Sequence, residues 1–363
     1  MKSTEYRAIL GGARGVKPAL WRGLFRCVSI PYALGVWGND WLWRSGLRKV
    51  RRLERPTVSV GNLTLGGTGK TPMIAFLTRF FLEQGLFPAI LSRGYGAPTH
   101  HGQNSVSDYG AQNDEALELA EMFPEIPHFL SPNRCAAGKA LLQKHPERNI
   151  LLLDDGFQYR RLARDLEIVL LDATEPFGFE RLFPAGTLRE PLSALRRADL
   201  VLLSRADQVT PEKRAEIRQR VERIAPKAVW GEITQRPTGL VQFQAGKFLR
   251  TPLPQKIPPV AAFCGIGNPG SFLTMLTVCG YEIENAKIFP DHHHYCDADI
   301  TQLTKIAQSS KSEAIFCTMK DLVKIRRSDF CDIPLFAVEI GVEFLVGEGE
   351  VMGKLRGLLP PRC

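Results

Sequence analysis

The sequence has no paired cysteine motif, no internal repeat and no low-complexity tract. Its eight cysteines are scattered without a C-x-x-C pair, which argues against a zinc site or a disulfide framework and favours reduced thiols in a cytosolic protein. The length of 363 residues suits two or three domains. Hydrophobic residues make up 44% and charged residues 23% of the chain, as in an ordinary globular protein.

Acidic residues are scarce in the first 60 positions, which hold 12 basic and 3 acidic side chains. The excess of basic over acidic side chains in this segment equals the formal net charge of the whole chain, +9. Four of the five tryptophans lie in the same segment. The longest charge-free run of the first 55 residues is residues 27–39. A membrane span needs about 20 apolar residues, so we expect no crossing here, and we find no signal-peptide cleavage pattern.

The apolar residues Leu20, Trp21, Leu24, Phe25 and Val28 recur at helical spacing, and we expect the proline at position 31 to bend or end that helix. Tryptophans beside arginines and lysines favour an interfacial anchor on a membrane surface over residues 1–55. The alternatives are packing on the core and a basic patch for nucleic acid. The density of apolar side chains argues against nucleic acid as the sole partner.

A phosphate-binding loop is predicted after a short strand that begins at Thr57. Glycines turn backbone N–H groups inward before a helix N-terminus, a lysine reaches the β- and γ-phosphates, and a threonine hydroxyl ligates Mg²⁺. The strict spacing places a glycine at position 64, where this chain has Thr64. The alternative is an ordinary glycine-rich turn. The loop consists of Gly66, Gly67, Thr68, Gly69, Lys70 and Thr71.

Two carboxylates, Asp154 and Asp155, follow the apolar run 150–153, which is typical of a buried parallel strand. One of them is expected to hold Mg²⁺. Two further apolar strands, 167–172 and 199–204, alternate with helices and indicate a parallel sheet that helices cover on both faces. Arg189 and Glu190 precede a proline at the expected ligand edge of that sheet.

For several other polar residues, the local sequence allows both a functional and a purely structural role. Asp114 either caps a helix or acts in a site, and Arg134 is either a phosphate clamp or a surface charge. Three consecutive histidines, 292–294, suggest either metal or a polar turn, but consecutive side chains diverge, so one ion is not expected to take all three. Arg205-Ala206-Asp207 lacks the asparagine and lysine of a guanine-reading N-K-x-D motif.

The predicted fold is α/β. It consists of an N-terminal membrane-associated helix in residues 1–55, a nucleotide-binding domain of the P-loop NTPase class in residues 56–235, and a smaller α/β lobe in residues 236–363. The nucleotide domain is expected to contain a mostly parallel sheet covered by helices. The second boundary rests on a change of composition near residue 236, followed by several prolines.

Taken in order, the motifs resemble the membrane-associated tetraacyldisaccharide 4'-kinase family of lipid A synthesis. Each motif is weak alone, and the ordered set, which covers nearly the whole chain, is specific. The set consists of Gly61-Asn62-Leu63-Thr64, the loop 66–71 with Pro72, Ser92-Arg93-Gly94-Tyr95-Gly96, Asp114-Glu115, Asp154-Asp155-Gly156-Phe157-Gln158, Leu188-Arg189-Glu190-Pro191, Gly265-Ile266-Gly267-Asn268-Pro269, Phe289-Pro290-Asp291-His292-His293 and Thr318-Met319-Lys320-Asp321.

The resemblance implies transfer of the γ-phosphate of ATP, with Mg²⁺, to the 4'-hydroxyl of a tetraacyldisaccharide 1-phosphate lipid, which gives lipid IVA. It implies a peripheral or monotopic protein on the cytoplasmic face of the bacterial inner membrane. We expect neither nucleic acid nor an obligate protein partner. The chief alternative is a membrane-associated P-loop ATPase or switch protein without a lipid acceptor.

The resemblance also implies roles for single residues. Asp114 is the base for the acceptor hydroxyl, with support from His292 or His293, and pairing between them would make closure of the two lobes part of catalysis. Two departures are visible, Tyr159 where the family usually has histidine, and Met319 where it has glutamate. The remaining roles are nucleotide binding for loop 66–71 with Lys70 also catalytic, metal binding for Thr71, Asp154, Asp155 and Glu190, and substrate binding for Tyr95, Arg134, Gln158 and Arg189.

Overall fold

The computed structural model of the chain is built around one mixed sheet, and it describes residues 3–93, 114–254, 259–309 and 312–360. The strands are β1 (Thr57–Asn62), β2 (Pro88–Ser92), β3 (His128–Leu130), β4 (Ile150–Asp154), β5 (Leu166–Asp172), β6 (Leu200–Ser204), β7 (Val229–Gln244), β8 (Lys247–Thr251), β9 (Val260–Cys264), β10 (Ile283–Ile288), β11 (Ala314–Thr318), β12 (Asp329–Phe330) and β13 (Ile333–Val346).

Helices cover the sheet, and three short 3-10 helices lie between β5 and α6. The α-helices are α1 (Ser3–Leu10), α2 (Val16–Arg44), α3 (Lys70–Glu83), α4 (Asp114–Met122), α5 (Arg134–Lys144), α6 (Pro211–Ile224), α7 (Pro269–Val278), α8 (Asp297–Ser309), α9 (Met319–Ile325) and α10 (Glu348–Arg356).

The strand order is β10-β9-β11-β13-β7-β6-β5-β1-β4-β2-β3, with β12 on β13 and β8 on β7. Strands β1 to β6 run parallel, as predicted, and β9, β10 and β11 form a second parallel group with β13. Every residue of β1, β2, β4, β5 and β6 is buried, because helices cover both faces of a parallel sheet.

The two parallel groups meet at the long antiparallel pair of β7 and β13. The first four residues of β7, from Val229 to Glu232, pair with β6. From Glu232 to Val241 the same strand pairs with β13. The predicted boundary at residue 236 falls inside this strand, so the sheet passes from one group to the other without a break. The division into separate lobes stays a prediction.

The N-terminal helix α2 passes through Pro31 and continues to Arg44, so the prediction that the proline could end it is wrong. Proline removes one helical hydrogen bond, and at this exposed position water can satisfy the carbonyl group that is freed. Among the described helices, none is both long enough and apolar enough to cross a membrane. Phe25 is the one buried residue of α2, and it packs against Ile9 of α1 and Ala185.

Candidate functional site

The loop between β1 and α3 has the backbone of a phosphate-binding turn. Gly66 has φ 123° and Gly69 has φ 89°, a region that side chains disfavour. Thr64, which replaces the first glycine of the strict motif, is buried and forms an antiparallel bridge with Leu188. An extended backbone suits a β-branched residue. The departure at position 64 therefore fits its local structure.

Lys70, at the start of α3, faces the carboxyl ends of β1 and β4. Its Nζ lies 3.5 Å from Oδ1 of Asp155 and 3.4 Å from Oδ1 of Asn62. Nη1 of Arg189 lies 3.0 Å from each carboxylate oxygen of Asp155 and donates to Oε1 of Gln158 at 3.4 Å. The structure thus brings four of the predicted site residues together at one edge of the sheet, as expected for a parallel α/β sheet.

The two predicted metal carboxylates have different surroundings. Burial acts to raise the pKa of Asp155, but the nearby charges of Lys70 and Arg189 outweigh it, and the pKa falls to about 2. Burial raises the pKa of Asp154 to about 6 despite the charge of Lys70. Oδ2 of Asp154 accepts a hydrogen bond from Oγ of Ser92 at 3.1 Å, the one bond that the described residues give to this carboxylate.

A buried histidine supports that contact. Nε2 of His128 lies 2.8 Å from Oγ of Ser92, and burial lowers the pKa of His128 to about 3, so its ring is neutral at physiological pH. No group of three His, Cys, Asp or Glu side chains that could hold a metal ion occurs within the described ranges. A cation bound at Asp154 would therefore need ligands of other kinds, such as the buried Thr71, water or phosphate oxygens.

Arg134 is buried, with 5% of its surface exposed, so the surface-charge alternative does not hold. Its guanidinium stacks on the Tyr159 ring, 4.6 Å from the centroid, and Nη2 donates to the carbonyl oxygen of Asp155 at 3.5 Å. Glu190 instead accepts a hydrogen bond from Nη2 of Arg197 at 2.7 Å, and it contacts neither predicted metal carboxylate. Tyr95 lies outside the described residues.

Asp114, the first residue of α4, forms a second cluster with residues from the far end of the chain. Its Oδ2 lies 2.9 Å from Nδ1 of His292 and 2.5 Å from Nζ of Lys324. Burial raises the pKa of Asp114, but the hydrogen bonds from His292 and Lys324 outweigh it and hold the pKa below its usual value. The hydrogen bond with Asp114 raises the pKa of His292. Asp114 is thus an anion at neutral pH, as a base requires.

The two histidines have separate partners, so only one of them contacts Asp114. Nε2 of His293 lies 2.9 Å from Oδ2 of Asp299, and its ring stacks on Phe289 with centroids 4.7 Å apart. Asp321 fixes the same region, because it accepts hydrogen bonds from the Gly265 N–H and the Tyr295 hydroxyl. Of the two predicted candidates, the geometry favours His292.

Sequence reasoning missed Lys324, Arg205 and the Glu115–Lys320 pair as parts of the site. Nζ of Lys320 lies 2.5 Å from Oε1 of Glu115, beside the contact between Lys324 and Asp114. The spacing of the two lysines, four residues apart on α9, was the available signal, since such residues share one helix face. Arg205 binds Asp172 and donates through Nη2 to the carbonyl oxygen of Gly67 at 2.7 Å.

Comparisons with known proteins agree with the motifs and the fold. A model of the family "Tetraacyldisaccharide-1-P 4'-kinase" matches residues 21–359. The tetraacyldisaccharide 4'-kinase of Halothermothrix orenii is 33% identical over 86% of this chain and 87% of its own length. The enzyme of that name from an Anaeromyxobacter species is 34% identical over 98% of this chain and 94% of its own.

A solved structure extends the similarity to the fold. It is that of LpxK from Aquifex aeolicus in complex with ATP, which is 27% identical in sequence. It superposes with a TM-score of 0.71 and covers 94% of this chain and all of its own. The order of the motifs, the sheet and the matches over nearly the full length lead to one conclusion: the chain belongs to the tetraacyldisaccharide-1-P 4'-kinase family.

Proposed function

We propose that this protein transfers the γ-phosphate of ATP to the 4'-hydroxyl of a tetraacyldisaccharide 1-phosphate lipid and so forms lipid IVA. Membership in a kinase family of lipid A biosynthesis supports the reaction. The observation that carries the proposal is that the fold combines a phosphate-binding loop with a separate buried carboxylate, Asp114, which is paired with His292. Transfer to a hydroxyl calls for a positioned base, and Asp114 is a carboxylate that can fill this role.

The nucleotide is held by the loop 66–71 and Lys70. Phosphoryl transfer depends mostly on positioning and on neutralising charge, and the cluster around Asp155 supplies both. Mg²⁺, when bound with the nucleotide, neutralises charge on the phosphate oxygens. Asp154 and Thr71 are its proposed protein ligands, since one oxygen of Asp154 is free of hydrogen bonds to described residues.

Glu190 is a weaker candidate for the metal, because its contact is with Arg197. Arg134, Gln158 and Arg189 remain proposed substrate-binding residues. Arg134 and Arg189 each have an Nε with no hydrogen-bond partner in the described parts of the chain, so each can still donate to a ligand. Tyr95 keeps the role that the family resemblance implies.

Asp114 acts as the base through Oδ1. Its Oδ2 already contacts His292 and Lys324, whereas Oδ1 has no hydrogen bond to any described residue. A hydroxyl that donates to Oδ1 loses its proton as the γ-phosphate is transferred, and the charges of His292 and Lys324 stabilise the carboxylate in that position. The Asp114–His292 contact joins α4 to the loop after β10, so closure between these parts would assemble the site.

The same proposal includes the membrane surface. The exposed face of α2 carries Trp21, Trp37 and Trp41 together with several aliphatic residues, and basic residues follow it at 48–52. Such a helix lies in the interface with its apolar face among the acyl chains. A lipid acceptor stays in its leaflet, and ATP is a cytoplasmic substrate. We therefore propose a peripheral protein on the cytoplasmic face of the inner membrane.

The test is transfer of labelled γ-phosphate from ATP with Mg²⁺ to the disaccharide 1-phosphate lipid in detergent micelles. Labelled lipid is expected with the wild-type protein and not with Lys70→Ala, which loses the contact to the phosphates. The competing function is an ATPase or switch without a lipid acceptor. If the label appears only as free phosphate, at the same rate with and without lipid, the protein is an ATPase or switch and the proposal is overturned.

A further inference from the structure

The N-terminal helix α1 places an arginine on the phosphate-binding loop. An ideal Cβ built on Gly66 would lie 2.7 Å from Nη2 of Arg7, so this guanidinium lies directly against the Cα of the glycine. Gly66 is four residues before Lys70, within the stretch whose backbone cradles nucleotide phosphates. Residue 7 precedes residue 21, where the match to the family begins.

Arg7 is held there by its neighbours on α1. The hydroxyl of Tyr6 lies 2.8 Å from the carbonyl oxygen of Pro184 and 3.0 Å from that of Gly186, and Ile9 is buried against α2. The same segment is tied to the loop, since the N–H of Leu65 donates to the carbonyl oxygen of Thr187 at 2.7 Å. Helix α1 and the phosphate-binding loop are thus both hydrogen-bonded to the segment 184–187.

Arg7 has neither a hydrogen bond nor an ion pair with the side chain of any described residue. It lowers the pKa of Glu175 from nearby, although burial raises that pKa overall, and Glu175 is already bonded to Thr187 and to the Phe179 N–H. The other arginine at the loop, Arg205, already donates through Nη1 to Asp172 and through Nη2 to the Gly67 carbonyl oxygen. Both terminal nitrogens of Arg205 are thus occupied, whereas those of Arg7 have no hydrogen-bond partner among the described residues.

We propose that Arg7 is a further catalytic residue, which contacts the terminal phosphate of the bound nucleoside triphosphate. An arginine supplied next to a phosphate-binding loop stabilises the charge that develops in phosphoryl transfer, and its planar fork matches phosphate oxygens. The inference rests on the proposed function. It goes beyond that function because it assigns part of the chemistry to the N-terminal segment, which otherwise serves only as an anchor.

The experiment compares Arg7→Gln and Arg7→Lys with a matched control, Arg223→Gln, which removes the same charge from an exposed position of α6, outside the proposed anchor. Dissociation constants for Mg·ATP and Mg·ADP are measured by calorimetry without lipid, and kcat and KM for the lipid are measured in micelles. Arg7→Gln is expected to raise the dissociation constant for Mg·ATP about 10-fold and to leave that for Mg·ADP nearly unchanged. It should also lower kcat by about 10²-fold. Arg223→Gln should change none of these values.

If Arg7→Gln raises the dissociation constants for Mg·ATP and Mg·ADP by the same factor, or leaves kcat unchanged, the proposal is overturned and Arg7 is a structural residue. If Arg7→Gln does not fold, Arg7→Lys decides, because it keeps the charge but lacks the fork. It must then show a reduced preference for ATP over ADP, and an unreduced preference counts against the proposal. The binding measurements need no lipid, so they test Arg7 even if the wild-type protein phosphorylates no lipid acceptor.

Discussion

His292 and Asp114 are 178 residues apart in the sequence, yet Nδ1 of one lies 2.9 Å from Oδ2 of the other. Lys324 approaches the same carboxylate oxygen at 2.5 Å. Among the described residues, none bonds to Oδ1 of Asp114, so this oxygen is open to a ligand hydroxyl. The contacts of Oδ2 tie the start of α4 to the loop after β10 and to α9.

Replacing the proposed base should separate catalysis from nucleotide binding. We expect Asp114→Asn to lower kcat by about 10²- to 10⁴-fold, because the amide cannot accept the acceptor's proton. The dissociation constant for ATP should stay within about 2-fold, since phosphate contacts dominate it. His293→Gln is the control, because that side chain is paired with Asp299. Near-normal turnover of Asp114→Asn would remove Asp114 from the role of base.

The pairing with His292 should contribute stability in a defined pH range. Its pKa is raised in the folded protein, chiefly by the hydrogen bond to Asp114, so the contribution is complete below its ordinary pKa of about 6.5. It is lost as pH rises through the raised value. The Tm difference between wild type and His292→Gln should therefore be largest near pH 5.5 and vanish at alkaline pH.

The size of that difference should be modest, since 55% of the His292 side chain is exposed and solvent screens the pair. Asp114 contributes stability in the opposite pH range. Its pKa is lowered in the folded protein, so its contribution is complete above the ordinary carboxyl pKa of about 4 and is lost in acid. Measurements from pH 5 upward therefore report the contribution of His292 alone, because the contribution of Asp114 does not change in that range. A Tm difference that grows with pH would contradict the assignment to His292.

Lys324 should matter for stability as well as for activity. Its side chain is 8% exposed and that of Asp114 is 5% exposed. Lys324→Met therefore leaves a buried carboxylate whose one remaining side-chain partner in the described ranges is His292. Breaking a buried pair typically costs about 3–5 kcal/mol, and we expect about 2–3 kcal/mol here because His292 remains. Urea unfolding measures the change in the free energy of unfolding.

The double variant Lys324→Met with Asp114→Asn provides the control for that measurement. It should recover a part of the lost stability, because the neutral amide is cheaper to bury than an unpaired charge. If the two losses simply add, Lys324 stabilises the fold by some other contact, such as its hydrogen bond to the His293 carbonyl oxygen.

The exposed tryptophans of α2 should govern binding to lipid. Trp37 is 59% exposed and Trp41 is 62% exposed, so replacing both with serine costs little folding energy. We expect the double variant to lose most of its sedimentation with vesicles of anionic phospholipid, because buried apolar area sets interfacial binding, and to keep its Tm. Val278→Ser, at an exposed site on α7, is the matched control. Unchanged vesicle binding would count against α2 as the anchor.

The sequence alone determined the parts of the protein that are local or strictly periodic. The phosphate-binding loop lies within one continuous strand–turn–helix segment, so its residues are necessarily neighbours. The buried parallel strands could be predicted because unbroken apolar runs suit a sheet covered on both faces. The order of the motifs indicated the family, and with it Asp114 and the two candidate histidines.

Residues that share one sequence signal differ in what they contact once the chain is folded. Asp154 bonds to Ser92 and Asp155 to Arg189, and His292 pairs with Asp114 whereas His293 pairs with Asp299. The tertiary structure also brought Arg7 and Arg205 onto the loop from helices and turns far along the chain. Contacts of this kind depend on how separate elements pack, and no local spacing encodes the distance between them.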